Sequence, residues 1–182
     1  TSQQNNKMEA IECIMTRKSI RKLDVTREVS KETLETIVKA GFAAPTAVNA
    51  RPWHYVVVTN REVLDKFAAV LPYCGFATKA SAAIVVCGKT DKFVKAPFAP
   101  EYWVQDCSAA TENILLAAHA LGLGATWSGV FPVEDLIKEV TSILSLDETV
   151  VPLSVIPMGY PVEGVNMTPK NKYNPEEVTF VE

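Results

Sequence analysis

The sequence predicts a single α+β or α/β domain with a central sheet covered by helices, and three observations lead there. Segments with helical spacing of apolar residues alternate with β-branched runs at 54–59, 82–88 and 150–158. The chain has 182 residues, one domain of ordinary size, able to bury about 70% of its unfolded surface without a disulfide or metal staple. Hydrophobic residues make up 48% and charged residues 21%, a globular balance, and no repeat or low-complexity tract interrupts it.

The elements follow in order. Met8, Ile11, Ile14 and Met15 recur at helical spacing, which predicts an amphipathic helix over 7–16 behind a polar tail, 1–6. Ser30 is the N-cap of a second helix whose buried face carries Leu34, Ile37 and Val38. That helix ends near Ala44, because Pro45 pushes the residue before it out of the α region. His54-Tyr-Val-Val-Val-Thr59 reads as a buried strand. Asn60 caps a third helix through about Val70, and Pro72 stops it. Ala82–Gly88 is a second buried strand. A loop rich in aromatics and prolines, Phe93 to Trp103, is either a pocket wall or lid, or ordinary core and surface. The longest helix follows at 104–121, and Gly122 and Gly124 end it. Ala125 to Ser128 is a short strand, and Pro132 opens a helix with Leu136, Ile137 and Val140 on one face. Pro152 and Pro157 interrupt the strand at 150–158, which predicts that it lies partly at an edge. The polar stretch 166–182 ends in a β-like Val178-Thr-Phe-Val181, and having no evident core partner it is expected to pack on another subunit.

Composition excludes several classes. A net charge of −3 does not favour nucleic acid or acidic membrane surfaces. No apolar run has the length to cross a bilayer. Cys13, Cys74, Cys87 and Cys107 form no C-x-x-C pair and have no histidine at zinc-ligand spacing, so they read as small buried hydrophobes and no metal site is expected. His54 and His119 read as packing or surface residues. The polar start fits a cytoplasmic protein and equally a chain relieved of an export signal.

The segment Ala44-Pro45-Thr46-Ala47-Val48-Asn49-Ala50-Arg51-Pro52-Trp53 carries the clearest functional signal. Two prolines stiffen a loop that presents Thr46 and Asn49, and rigid loops concentrate binding groups. Arg17, Ser19 and Arg21 alternate around Lys18 and Ile20; in extended geometry their side chains share one face and make a phosphate clamp. Lys170-Asn171-Lys172 repeats that alternation. Taken singly, each basic segment is better explained as a solvated loop. Gly122-Leu-Gly-Ala-Thr-Trp-Ser-Gly129 is glycine-rich, yet it lacks the dinucleotide spacing and follows its helix rather than preceding one. Its glycines suit close backbone approach to something flat.

Together these motifs resemble the FMN-dependent nitroreductase family, over about 9–180 and in the family's order. Arg17, Ser19 and Arg21 match an Arg-x-Ser-x-Arg/Lys segment after the first helix. Pro45, Thr46, Asn49, Pro52 and Trp53 match a Pro-Ser-x-x-Asn-x-Gln-Pro-Trp loop. Gly122 to Gly129 matches a Gly-Leu-Gly-Thr-x-Trp-x-Gly turn, and Pro169, Lys170 and Lys172 match a Pro-Lys-x-Arg segment.

The resemblance implies an α+β fold with a mostly antiparallel sheet flanked by helices, in an interlocked homodimer with two interfacial FMN sites. Arg17, Lys18, Ser19, Arg21, Lys170 and Lys172 would hold the phosphate and ribityl, and Pro45, Thr46, Ala47 and Asn49 would reach the flavin from the other protomer. Trp127, with the backbone of Ser128 and Gly129, would face its reactive edge. The activity implied is hydride transfer from NADH or NADPH through FMN to a nitroaromatic or quinone, by ping-pong kinetics. No side-chain acid or base is needed, since the flavin carries the chemistry. The alternatives are a dehalogenating or flavin-fragmenting branch of the same superfamily, and a flavin-binding module without turnover. Thr46 and Ala47 depart from frequent serines, Arg51 from a frequent Gln, and Lys172 from a common Arg. Tyr73 to Phe76 occupies a stretch where larger members carry a flavin-contacting Asn and Lys.

Overall fold

Among the described residues the sheet has five strands, β1 (Trp53–Val58), β2 (Ala82–Lys89), β3 (Gly124–Ala125), β4 (Ser128–Gly129) and β5 (Val150–Gly159). They lie in the order β1-β2-β5-β3, with β4 also paired to β5, and each pairing is antiparallel. The architecture is therefore α+β rather than α/β. The computed structural model describes residues 8–94 and 99–182; the tail 1–6 and Pro97 and Phe98 of the aromatic loop lie outside them.

Two helical layers cover the sheet. The strand period of two sends alternate β2 residues to opposite faces. Ala82, Ile84 and Val86 meet α2 (Lys31–Phe42) and α4 (Tyr102–Ala120), through Leu34, Ile37, Ala110 and Ile114. Ala83, Val85 and Cys87 meet α3 (Arg61–Val70) and α5 (Glu134–Leu144), through Leu64, Phe67 and Val140. Burial on both faces explains why β2 reads as a continuous apolar run. Each large side chain sealed in these layers, such as Phe67 or Ile37 at 0% exposure, contributes roughly 1.5–3 kcal/mol. The four cysteines are free and buried, as their apolar settings suggest.

Helix boundaries follow the local chemistry. Ser30 Oγ accepts from the Thr33 amide at 3.1 Å and Asn60 Oδ1 from the Val63 amide at 3.0 Å, caps worth ~1 kcal/mol each. At the end of α4, Gly122 adopts a left-handed φ of 83° while the Leu123 amide reaches back to the Ala118 carbonyl. That is the bonding that closes a helix with glycine. The first helix, α1, runs Ala10–Thr16. In place of the one strand expected at Ala125 to Ser128 there are two, β3 and β4, separated by Thr126 and Trp127.

The strand at 150–158 lies mostly inside the sheet: β5 sits between β2 and the short strands β3 and β4, whose ladder partners on it are Ser154, Val155, Met158 and Gly159. Its prolines are accommodated where the ladder is already broken. Pro152 falls opposite Cys87, at the register shift between Val86 and Cys87, and bulges tolerate proline. Pro157 offers its carbonyl to the Thr126 amide at 3.3 Å, so its missing donor faces the gap between β3 and β4.

Phe93 and Trp103 stack at 4.8 Å and 8°, with Phe131 edge-on to Trp103 at 4.7 Å, all against the core. These two aromatics therefore belong to the core rather than to a lid. The stretch 166–182 is mostly exposed, with a 3-10 turn at Pro175–Glu177, and Val178–Val181 forms no strand within the chain.

A Cβ at Gly124 would lie 2.6 Å from Ile20 Cγ2 and 2.7 Å from Ile20 Cβ, so the two segments meet only because position 124 has no side chain. Gly124→Ala is expected to cost about 1–3 kcal/mol by overpacking, read as a lowered urea midpoint with an unchanged slope.

Candidate functional site

The segment 17–21 runs without regular structure from α1 to the bridge between Leu23 and Pro161. Ile20 anchors it. Its amide donates to the Ala125 carbonyl at 3.2 Å, its carbonyl accepts from Thr126 Oγ1 at 3.1 Å, and its side chain is buried. With Ile20 turned inward, Ser19 and Arg21 are exposed on either side of it. The glycine-rich turn thus sits directly against the basic segment.

The far end of the chain joins them. Lys18 Nζ donates to the Asn166 and Thr168 carbonyls, each at 3.0 Å. This brings the run Pro169 to Lys172 beside the Arg17–Arg21 segment, although 148 residues separate Lys18 from Asn166. Lys18 holds the tail with its ammonium, a role that residue type alone did not signal.

The cations differ in what they touch. Arg17 Nε lies 3.4 Å from Glu112 Oε1 of α4, with side-chain exposures of 20% and 46%. A pair that open to solvent is worth about 1 kcal/mol or less, so an incoming phosphate would displace it at small cost. Arg21 has its guanidinium 6.0 Å from the centre of the Phe76 ring. Among the described residues, Arg21, Lys170 and Lys172 make no ion pair. Arg17 and Arg21 flank Ser19 on this segment, and Lys170 and Lys172 follow within four residues of the Thr168 carbonyl that Lys18 holds; cations with a hydroxyl donor are the groups that suit a phosphate.

The turn supplies the rest of that surface. Ser128 is buried, pairs with Val155, and donates its hydroxyl to Cys74 Sγ at 3.4 Å. Burial pushes the Cys74 thiol up, against the opposing pull of Ser128 and Arg21. Trp127 is 39% exposed, and nothing lies within 4 Å of where a Cβ on Gly129 would stand. A flat ligand can approach the backbone there.

The loop 45–51 is built differently. Val48, Asn49 and Arg51 hold φ values of 47°, 55° and 50°, left-handed conformations that non-glycine residues adopt only when their surroundings impose them. Thr46 Oγ1 accepts from the Arg51 amide at 3.1 Å, and the Asn49 amide donates to the Thr46 carbonyl at 3.1 Å. Asp106 of α4 ties the loop to the core: its Oδ1 accepts from the Ala47 amide at 2.9 Å. Pro45 and Asn49 stay exposed. No hydrogen bond among the described residues joins this loop to the cation cluster. Asp106 and Glu112 are six positions apart on α4, about 9 Å along its axis and on different flanks.

Asp106 is the positioning residue that sequence reasoning missed. A lone aspartate in a stretch rich in small residues carries no motif; its signal was an acidic side chain in a helix segment otherwise fit for burial. It is 6% exposed, and its Oδ2 has no partner. Burial pushes its carboxyl above the usual carboxylate range, against the Ala47 amide that draws it down. A raised folded value means its contribution to stability is complete below the ordinary carboxylate pKa and is lost as pH rises through the raised value. Asp106→Asn keeps an acceptor for Ala47 and removes that pH dependence. Asp106→Ala leaves the amide unpaired and is expected to lose about 1–3 kcal/mol; urea titrations from about pH 4 to 7 compare the three proteins.

With this geometry in view, the chain matches the model of the nitroreductase family over residues 14–82 and 70–160. It is 46% identical over 175 residues to a provisionally named NADH dehydrogenase/NAD(P)H nitroreductase of Methanothermobacter thermautotrophicus, covering 95% of this chain and 87% of that one. A crystal structure from Parabacteroides distasonis with the same provisional name is 43% identical, with a TM-score of 0.85 over 93% of this chain and 96% of that one. An FMN-dependent nitroreductase of Clostridium difficile is 28% identical, with a TM-score of 0.82 over 94% and 99%. The matches span the basic segment, the proline-bounded loop and the glycine-rich turn alike, and the chain belongs to the nitroreductase family.

Proposed function

We propose that this protein is an FMN-dependent oxidoreductase that carries a hydride from NADH or NADPH to a small aromatic acceptor, a nitroaromatic or a quinone, and that it works as a homodimer. The observation that carries this reading is the convergence, around Ile20 and Lys18, of cationic segments from both ends of the chain on one glycine-rich turn. The FMN dependence of the Clostridium difficile relative supports it.

Arg17, Ser19, Arg21, Lys170 and Lys172 would hold the phosphate and ribityl, with Glu112 releasing Arg17 as it does so. Charge-assisted hydrogen bonds of this kind contribute roughly 1.5–3 kcal/mol each. Bound FMN supplies the hydride chemistry, as acceptor from the nicotinamide and donor to the second substrate. Arg21 and the amides near Gly129 would stabilise negative charge on the reduced ring, as preorganised donors do at an oxyanion. Open space beside Gly129 leaves one face for donor and acceptor in turn, which suits ping-pong kinetics.

Features of the single chain support the dimer reading. The loop with Asn49 is tied to α4 at Asp106 and the basic segment at Glu112, with no hydrogen bond between them among the described residues, which suits a site shared between two copies. On α1, Ile11, Ile14 and Met15 are 72%, 54% and 70% exposed, and burying such side chains rewards association. The tail 166–182, with Phe180 82% exposed, would pack on the partner.

Arg17→Ala with Arg21→Ala is expected to weaken FMN binding by about 10²–10⁴-fold. That variant should purify colourless yet keep its circular dichroism; an unchanged flavin content would refute the phosphate assignment. Asn49→Ala, mixed with wild-type chains, should give heterodimers retaining about half their flavin sites if the loop acts in trans. Anaerobic mixing with NADH and NADPH tests turnover, with bleaching within seconds expected; a flavin that stays oxidised would indicate a binding module.

A further inference from the structure

Arg51, the departure from the family's loop pattern, lines a groove of about 500 Å³ with Phe42, Asn49, Ala50, Trp53 and Lys92. One wall is aromatic: the Phe42 ring lies 4.8 Å from that of Tyr55 and 6.0 Å from that of Trp53, edge-on to the latter. Phe42 is nonetheless 56% exposed, so a flat ligand has an aromatic surface to lie on. Opposite chemistry stands beside it. Arg51 and Lys92 come from separate segments, and among the described residues neither has a carboxylate within 4.0 Å. Arg51 is held with φ at 50° by the bond from its amide to Thr46 Oγ1. The backbone that carries this guanidinium is therefore kept in a conformation it would otherwise leave.

We propose that this groove takes the phosphorylated adenosine end of NADPH, with the base against Phe42 and the 2′-phosphate between Arg51 and Lys92. The inference rests on the hydride-transfer reading above, through Asn49, which belongs both to the groove and to the proposed flavin contacts. The charge count selects this occupant. A phosphomonoester carries about 1.5–2 negative charges at neutral pH, matching two cations, whereas an aromatic carboxylate brings one. Arginine adds a planar fork suited to phosphate oxygens, and lysine adds a compact point charge. The site thus discriminates NADPH from NADH, which lacks that phosphate.

The test has two arms. In the first, kcat/KM for NADPH and NADH is measured on the holoenzyme with a saturating quinone. The wild type is expected to prefer NADPH by about tenfold or more, the yield of a single good charged contact. Arg51→Gln with Lys92→Gln should bring the ratio to near one by raising KM for NADPH, with kcat, the NADH values and flavin content unchanged. A wild-type ratio near one, or a variant that keeps the preference, would overturn the proposal. In the second arm, calorimetry compares adenosine 2′,5′-bisphosphate with adenosine 5′-monophosphate and 4-nitrobenzoate on the protein as purified. Tighter binding of the bisphosphate, lost in the double variant, supports the assignment. Equal binding of the two nucleotides, or tighter binding of the nitrobenzoate, refutes it. This arm needs no turnover, so it separates failure of the groove assignment from failure of the flavin reading.

Discussion

The Ile20 backbone is the constraint on which the site depends. Its amide and carbonyl are both engaged by the Ala125–Thr126 turn, and its side chain fills the space that Gly124 leaves open. Once that residue is turned inward, an extended chain has only one way to present its neighbours, and Ser19 and Arg21 face solvent. Lys18 then carries the same organisation to the tail through two carbonyls. Of the cations gathered here, Lys18 is the one that contributes to the gathering, through its two bonds to the tail. Backbone pairing and apolar contact at Ile20 do the rest, and among the described residues Arg21, Lys170 and Lys172 make no ion pair. Their mutual repulsion is a cost that an anion relieves.

The loop at 45–51 follows the opposite design. Its backbone holds three non-glycine residues at positive φ, and a single buried carboxylate, Asp106, ties it to the core. Burying that carboxylate with one oxygen unpartnered is unfavourable by itself. Conformations of this kind persist where surrounding structure imposes them, and they cluster where a ligand is held. Strain in the loop and desolvation on α4 are thus two sides of one arrangement, which keeps Asn49 outward and rigid. The prolines that bound the loop narrow its unfolded ensemble and reduce the entropy lost on ordering it.

The sheet shows how far local rules reach. In an intact ladder proline favours an edge, which would place part of the strand at 150–158 there. Here the ladder is already interrupted, by a register shift on one side and by the gap between β3 and β4 on the other. A missing donor is harmless where no acceptor waits for it. Nothing in the sequence around Pro157 announces that its neighbour will be two strands of two residues each.

Caps, strand runs, the buried cysteines and the helix-ending Gly122 were all legible, because each rests on short-range chemistry: an oxygen for an orphan amide, a period of two, a residue free to take positive φ. The basic segments and the proline-bounded loop were legible as candidates for the same reason. What the tertiary structure alone decided is the company those residues keep. The inward position of β5, the clamp of Lys18 on the tail, the pairing of Arg17 with Glu112 and the anchoring role of Asp106 all join residues distant in the chain. Such contacts depend on how helices and strands pack, and packing is set by the sum of many weak apolar contacts rather than by any local pattern.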